Sequence, residues 1–233
     1  MPDAGLPRGQ KVIDFFPRFG VPAYAERWPQ IPDQPSLTIG GLVEAPLTLA
    51  LSELAALARA EITTDFHCVT TWTRKGLRWG GYRLKDLLGT VVAPRCRPQA
   101  AARYLCFTSL DGYRICIDLR DIDEETLLAD RLDGAPLSIE HGAPVRVIAP
   151  ALYGYKNPKH VCGIEFLADF RRGRAERQTL AHPRGRVAQE ERGRLLPGIV
   201  YRYVYRALIP MTLASYERAA ERRHAGSKPP APR

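Results

Sequence analysis

Cys68 is the residue of this sequence whose type and setting best suit chemistry. It ends the apolar run EITTDFHCV and is followed by the polar and aromatic turn Thr70–Thr73. A thiolate is a nucleophile and a ligand of soft metals, whereas an unreactive free cysteine packs as a small apolar residue. Neighbouring side chains on a strand point to opposite faces. A local catalytic pair of His67 and Cys68 is therefore disfavoured, and the ligand, nucleophile and core interpretations stay open.

A group of basic residues surrounds a second short apolar strand. The segments HGAPVRV and YGYKNPKH contain His141, Arg146, Lys156 and Lys159. Arginine binds phosphate through two parallel hydrogen bonds, lysine acts as a point charge, and loop amides add further donors. The pattern is typical of a phosphate site, and a solvated basic rim is the alternative.

Several common catalytic signatures are absent from the sequence. It contains no nucleotide-binding glycine fingerprint, P-loop, HExxH or GxSxG, so nucleoside cofactors and the usual hydrolase mechanisms lack support. The cysteines stand at positions 68, 96, 106, 116 and 162 without a C-x-x-C pair, which fits neither a disulfide framework nor a zinc site. This spacing predicts a reducing compartment. With no secretory signal or long apolar run, we expect a cytoplasmic protein.

The other cysteines differ in their surroundings. Cys96 lies between two arginines and is expected to be an exposed, reactive thiol. Cys106, Cys116 and Cys162 lie in apolar runs, and we expect them to pack in the core.

The elements that must position these residues are a mixture of strands and short helices. The segment RYLCFTSLDGYRICIDL predicts a β-hairpin, because Asp111-Gly112 supplies the positive φ angles of a tight turn. Further strands are predicted at SLTIGGLV, EITTDFHCV, PVRVIAP and HVCGIEFL, and helices at 51–58, at YRLKDLLG with Gly89 as its cap, and at EETLLADRL. The irregular order indicates an α+β fold rather than a doubly wound sheet.

Composition divides the 233 residues into three parts. Seven prolines predict an irregular arm over residues 1–36, and residues 37–167 form the core domain. Residues 168–233 form a partly helical extension, in which Pro210 is expected to break or kink the helix and the last ten residues to be disordered. The net charge of +9 lies at the C-terminal end: residues 167–233 carry 15 Lys and Arg against 6 Asp and Glu, and residues 1–166 carry 19 of each sign.

A series of motifs carries a family resemblance. In chain order they are DFHCVTTW, RWGGYRLKDLL, FTSLDGY, DRLDGAPLSIEHGAPVRVIAP and LYGYKNPKHVCGIEF. They resemble the molybdopterin-binding domain of the sulfite oxidase superfamily over about Asp14 to Leu167. Within it, the sequence is similar to small single-domain bacterial oxidoreductases, including the catalytic subunit of periplasmic methionine sulfoxide reductase. The resemblance implies a mixed-sheet molybdopterin-binding fold with short peripheral helices.

The resemblance also implies roles for the matching residues. Cys68 matches the cysteine whose thiolate ligates molybdenum beside a pyranopterin dithiolene, which agrees with its soft donor atom. The resemblance implies that the pterin phosphate is bound by His141, Arg146 and Lys159, with backbone groups of Asn157 and Pro158. It places Ser109 near the cofactor. It also implies that a segment with Asp14, Pro17 and Arg18 covers the pterin and contributes to cofactor binding. Thr70 stands where the reductase has a glutamate. Trp72 and Tyr155 are candidates either for lining the site or for packing.

The implied activity is that of a molybdenum-dependent oxidoreductase. It would transfer an oxygen atom or two electrons on a small sulfoxide, N-oxide or sulfite-like substrate. No haem or iron–sulfur cysteine motif is present, so a separate redox partner is implied, with the basic extension as its docking surface and a membrane surface as the alternative contact. A catalytically idle cofactor-binding or interaction module on the same scaffold is the alternative function. Nucleic-acid binding through the extension is disfavoured.

Overall fold

The computed structural model describes residues 5–18 and 22–226. The strands are β1 Lys11–Val12, β2 Ser36–Gly41, β3 Leu47–Ala50, β4 Arg59–His67, β5 Trp72–Arg83, β6 Tyr104–Ser109, β7 Arg114–Asp118, β8 Leu127–Leu132, β9 Ala135–Pro136, β10 Arg146–Ile148 and β11 Val161–Leu167. The α-helices are α1 Leu84–Asp86, α2 Ala93–Cys96, α3 Arg174–Thr179 and α4 Gly198–Gly226, and short 3-10 helices cover Pro22–Tyr24, Leu51–Ala56, Leu119–Asp121 and Gly154–Lys156.

Two mixed sheets form the framework. One has the order β1-β5-β8-β10, with β4 also paired to β5 and β9 to β8, and the other has the order β3-β2-β11-β6-β7. β1 pairs parallel with β5, and β2 pairs parallel with β11. The ladders that join β4, β5, β8 and β10 are antiparallel. The predicted α+β class with a mixed sheet and short helices is confirmed.

The main core lies between the two sheets. Ile39 and Phe107 from one sheet and Val147 from the other are at most 1% exposed. Burial of such side chains stabilises the fold by roughly 1.5–3 kcal/mol each. A second cluster covers the other face of β5 and β8, around Leu77 and Trp79, and it packs towards the site described below.

The hairpin predicted from Asp111-Gly112 is confirmed. β6 and β7 pair antiparallel with Thr108 opposite Arg114, and Gly112 has a φ of +82°. The Asp111 carboxylate accepts a hydrogen bond from the backbone N–H of Tyr113 at 2.9 Å. The turn therefore depends on a glycine in the left-handed region and on an aspartate that caps it.

Two predicted helices are wrong in type or extent. EETLLADRL forms strand β8, because its apolar residues are buried on both faces: Leu128 belongs to the main core, and Leu127 and Ala129 belong to the second cluster. The helix predicted at YRLKDLLG does not end at Gly89. It continues through a π-helical turn at Leu87–Val92 into α2. Its apolar side keeps packing in the core as far as Cys96, so no cap is needed at the glycine.

Two further expectations about helices and cysteines are corrected. Cys96 is fully buried rather than exposed. Helix α4 runs through Pro210 without ending there. Of the last ten residues, 224–226 are helical and 227–233 lie outside the described part of the chain. No helix among the described residues is long and apolar enough to cross a membrane.

The C-terminal extension is joined to the core by a buried ion pair. The Lys156 ammonium lies 2.9 Å from the Glu176 carboxylate of α3, and both side chains are almost completely inaccessible. Lys156 also donates to the Cys116 carbonyl at 2.7 Å. Burial lowers the pKa of Lys156 and raises that of Glu176, so each charge depends on the other.

Replacing Glu176 by Gln should therefore destabilise the whole chain. The ammonium of Lys156 stays buried without an opposite charge, and the free energy of unfolding should fall by about 3–5 kcal/mol, measured by urea denaturation. The control is Glu124→Gln, which breaks the exposed pair with Lys85 and should cost less than about 1 kcal/mol. Equal losses in the two variants would contradict the role of the buried pair.

Candidate active site

Cys68 lies in a tight turn between two long strands. β4 ends at His67 and β5 begins at Trp72. The Cys68 N–H donates to the Trp72 carbonyl at 2.9 Å, and the Thr71 N–H donates to the Cys68 carbonyl at 3.2 Å. The Gln10 side chain, which is buried, donates to the same carbonyl at 3.0 Å. The N-terminal arm therefore helps to hold the Cys68 turn in place through the Gln10 side chain.

The Cys68 thiol is held beside a polar neighbour. Its sulfur lies 3.0 Å from the Thr70 hydroxyl, and the side chain is 6% exposed. Burial raises the pKa of the thiol to about 11, although the Thr70 hydrogen bond and the Arg192 charge act in the opposite direction. A thiol with this pKa stays protonated at neutral pH until a cation displaces its proton, so the setting suits a metal ligand better than a free nucleophile.

Arg192 reaches this turn from the C-terminal extension. Its guanidinium is fully buried and donates to the Val69 carbonyl at 2.5 Å and to the Arg8 carbonyl at 2.9 Å. Its Nε lies 3.2 Å from a Glu190 carboxylate oxygen. One side chain therefore fastens the N-terminal arm, the Cys68 turn and the extension together.

A cavity of about 420 Å³ opens in front of Cys68, which is within the range of cofactor and ligand sites. Phe16, Phe66 and Trp72 line one side of it. Phe16 also stacks on the His141 ring, with 4.8 Å between the centroids. These aromatic side chains give the cavity an apolar surface next to Cys68 and His141.

Basic side chains form another group in the cavity lining. The Arg146 guanidinium is buried and donates to the carbonyls of His141 and Asn157 at 2.9 and 3.3 Å, and Lys159 donates to the Glu140 carbonyl at 2.8 Å. These hydrogen-bond acceptors are backbone carbonyls, which carry no full charge. Burial lowers the pKa of Arg146 to about 9. The pKa of Lys159 is lowered mainly by burial and further by the neighbouring cations Arg146 and Arg18.

Two buried nitrogen atoms at this end have no hydrogen-bond partner within the described residues. They are Nδ1 of His141 and Nε of Arg146. An unsatisfied buried donor costs about 1–3 kcal/mol, and cations that lower each other's pKa favour an anion between them. The donor set therefore fits a cofactor with a phosphate group, and the sulfur of Cys68 fits a soft metal at its other end.

The structure brings most of the predicted site residues to one cavity. Its lining includes Pro17, Arg18, Cys68, Arg146, Asn157, Pro158 and Lys159, and also Trp72 and Tyr155. His141 lies beside it beneath Phe16. Asp14 is exposed, and neither it nor Ser109, which is buried at the end of β6, is among the lining residues. The Asn157 side chain is occupied by the Ala149 N–H and two carbonyls. Its backbone N–H donates to the Gly154 carbonyl at 3.1 Å, and its carbonyl accepts from Arg146, so the predicted backbone donor is already engaged.

Sequence reasoning missed the residues that approach the site from the chain ends. Gln10, Phe16 and Arg192 contact the turn or the histidine, and Tyr205, Leu208 and Met211 of α4 line the cavity. The interleaved arginine and aromatic residues were the sequence feature that could have placed the extension at the site. That pattern was interpreted instead as a docking surface for a partner. In the structure, several of its arginines pair internally: Arg184 with Asp121, Arg186 with Glu191 and Arg202 with Glu190.

The fold and the site define a molybdopterin-binding oxidoreductase of the sulfite-oxidase type. Residues 25–174 match the family described as oxidoreductase molybdopterin binding domain, and the chain belongs to that family. The cofactor of the family is molybdenum bound to molybdopterin. The predicted family, fold class, enzyme class and cofactor are thus confirmed, whereas the roles of individual site residues stay predictions.

Two relatives and one solved structure show how far the similarity extends. The chain is 33% identical to the uncharacterized oxidoreductase YuiH of Bacillus subtilis (strain 168), over 80% of this chain and 91% of that protein. It is 30% identical to the protein-methionine-sulfoxide reductase catalytic subunit MsrP of Campylobacter jejuni, over 56% of this chain and 48% of that protein. The sulfane dehydrogenase SoxCD of Paracoccus pantotrophus shares the fold, with a TM-score of 0.54 and 21% identity over 67% of this chain and 45% of that one.

The basic end of the cavity should bind free phosphate in the cofactor-free chain. Inorganic phosphate at tenfold excess over its dissociation constant should stabilise the fold by about 1.4 kcal/mol, which raises the thermal midpoint by about 3–6 °C. Arg146→Met should abolish this rise, and Arg59→Met, which removes a surface partner of Asp130, should retain it. Sodium chloride at equal ionic strength controls for screening, and an undiminished rise in Arg146→Met would exclude the site.

Acid should destabilise the cofactor-free chain through two histidines of this region. Burial lowers the pKa of His141 and His160 to about 4, whereas an unfolded histidine titrates near 6.5. Between these values the unfolded chain binds more protons, so the free energy of unfolding falls as the pH is lowered from 6.5 to 4. His160→Gln should make this decline shallower in urea denaturation measured at several pH values. An unchanged slope would show that His160 does not titrate in this range.

Proposed function

We propose that the protein transfers an oxygen atom, with two electrons, to or from a small neutral substrate at a molybdenum held by Cys68. The observation that carries the proposal is one cavity whose lining contains the buried Cys68 thiol together with Arg146 and Lys159, two cations that donate to backbone carbonyls. When bound, the molybdenum cofactor supplies the two-electron change that accompanies the gain or loss of an oxygen atom.

The side chains of this chain would hold and enclose the cofactor. The Cys68 sulfur binds the metal, and the turn is held by Gln10 and Arg192. Arg146 and Lys159 bind the phosphate, with His141 contributing its unpaired Nδ1. The aromatic wall around Phe16 keeps water from the cofactor, which strengthens the electrostatic attraction between the cations and the phosphate.

Electrons would pass to or from a separate redox partner in the cytoplasm. The sequence holds no haem or iron–sulfur motif, and the Campylobacter relative is named as a catalytic subunit, which supports a partner. The five free cysteines support a reducing compartment. The docking site is proposed on the basic extension, where Arg218 and Arg222 are exposed towards the C-terminal end of α4, although Arg222 also pairs with Glu26.

Replacing Cys68 by Ser should remove the metal while leaving the fold intact. Wild-type protein from a host that makes the cofactor should contain about one molybdenum and one pterin per chain, determined by elemental analysis and mass spectrometry of the released cofactor. Cys68→Ser should retain less than about a tenth of the molybdenum and lose reduction of a test sulfoxide by a reduced dye. Cys162→Ser is the matched control, since Cys162 does not line the cavity.

Two results would overturn the proposal. One is a Cys68→Ser variant that keeps its molybdenum and its turnover. The other is a folded wild-type chain without molybdenum or pterin from a competent host, which would favour the catalytically idle module.

A further inference from the structure

Helix α4 forms the wall of the cavity on the Cys68 side. Tyr205, Leu208 and Met211 of this helix line the cavity, together with Gln178, Thr179 and Ala181 of the preceding segment. All six residues follow the matched family domain, which ends at residue 174. This wall is therefore supplied by the C-terminal extension and not by the domain common to the family.

Several contacts fix α4 next to the thiol. The Tyr205 hydroxyl donates to the Thr179 carbonyl at 3.1 Å, and Arg202 forms a 2.7 Å ion pair with Glu190. Burial raises the pKa of Tyr205 to about 12, and the Cys68 sulfur adds to this effect, which places the two groups at the same end of the cavity. Arg192 completes the link through its bond to the Val69 carbonyl.

The described lining residues of this wall carry no charge, and its part on α4 is largely apolar, whereas Gln178 and Thr179 are polar. Leu208 and Met211 present an aliphatic chain and a thioether, and both are partly open to solvent, with exposures of 41% and 62%. The Tyr205 hydroxyl is already bonded to a carbonyl. The cations that line the cavity lie close to one another, since Arg146 and Arg18 lower the pKa of Lys159, and in the proposed function they bind the phosphate.

Arg192 does not provide an anion site at the Cys68 end. Its guanidinium is fully buried, and its nitrogen atoms are engaged by the Val69 and Arg8 carbonyls and by Glu190. A dianion such as sulfite would have to lose its water against the uncharged surface of α4, and the engaged Arg192 would not replace that water, which is costly. A neutral molecule with an apolar group meets no such cost.

We propose that Leu208 and Met211 determine substrate specificity and select a neutral sulfoxide or N-oxide whose apolar substituent lies against α4. The inference rests on the proposed function. In the reaction, the S–O or N–O bond breaks, two electrons come from the reductant, two protons come from solvent, and the products are the sulfide or amine and one water. Apolar contact with α4 binds the substituent, and the oxide group is thereby directed towards the Cys68 end of the cavity.

The test compares two neutral sulfoxides on the metal-loaded holoenzyme with a reduced viologen dye as electron donor. Methyl phenyl sulfoxide carries an apolar ring and dimethyl sulfoxide does not, so wild type should prefer the former by about tenfold in kcat/KM. Leu208→Lys and Met211→Lys should each raise the KM for methyl phenyl sulfoxide about tenfold, with kcat for both substrates within about twofold of wild type. Val204→Lys is the control, since Val204 is 51% exposed one turn away and does not line the cavity.

The outcomes separate this inference from the proposed function. Molybdenum content and thermal midpoint are measured for each variant, so that a folding or loading defect is recognised. Turnover with an unchanged KM ratio in both lysine variants, or a wild type that oxidises sulfite in preference to reducing either sulfoxide, would overturn the role of Leu208 and Met211. A loaded wild type that turns over none of these substrates would instead overturn the proposed function itself.

Discussion

The site depends on like charges that are held together away from water. Arg146 lies close enough to Lys159 to lower the pKa of Lys159, and within the described residues both cations donate hydrogen bonds to carbonyl oxygens. Backbone dipoles offset only part of the cost of burying a cation. The fold tolerates the cost of holding these two cations because core packing on both sides of the sheet fixes strand β10 and the loop after Gly154–Lys156. An anionic ligand then adds to the opposite charge of Asp111 and Glu140, which act electrostatically on Lys159.

The turn that carries Cys68 is supported from both ends of the chain. The arm contributes Gln10 and the parallel strand β1, and the extension contributes Arg192. A metal ligand has to be held within a fraction of an ångström, which a strand-to-strand turn alone does not provide. The N-terminal arm and the C-terminal extension therefore help to position Cys68. Both Gln10 and Arg192 lie outside the family domain of residues 25–174.

Local signals were sufficient for part of the fold. The Asp111-Gly112 hairpin and the strand that ends at Cys68 could be predicted, because turn chemistry and β-branched runs act over a few residues. Strand β8 could not be predicted from the sequence, since Leu127-Leu128-Ala129 suits a buried helix as well as a central strand. Only the pairing of this segment with neighbouring strands shows that it is a strand. The basic residues were found through motif resemblance, whereas Leu208 and Met211 reach the cavity across about 140 residues of sequence, with no motif to mark them.

The bonds of Arg192 also set an order of assembly. It contacts Val69 and Arg8, which precede it by 123 and 184 residues, and α4 begins after it. All strands of the two sheets have been synthesised once residue 167 has emerged from the ribosome. At that point Arg192, which binds the Cys68 turn, and α4, which lines one side of the cavity, have not yet been synthesised. The bonds of Arg192 and the contact of α4 with the cavity can therefore form only after the strands of both sheets have been synthesised.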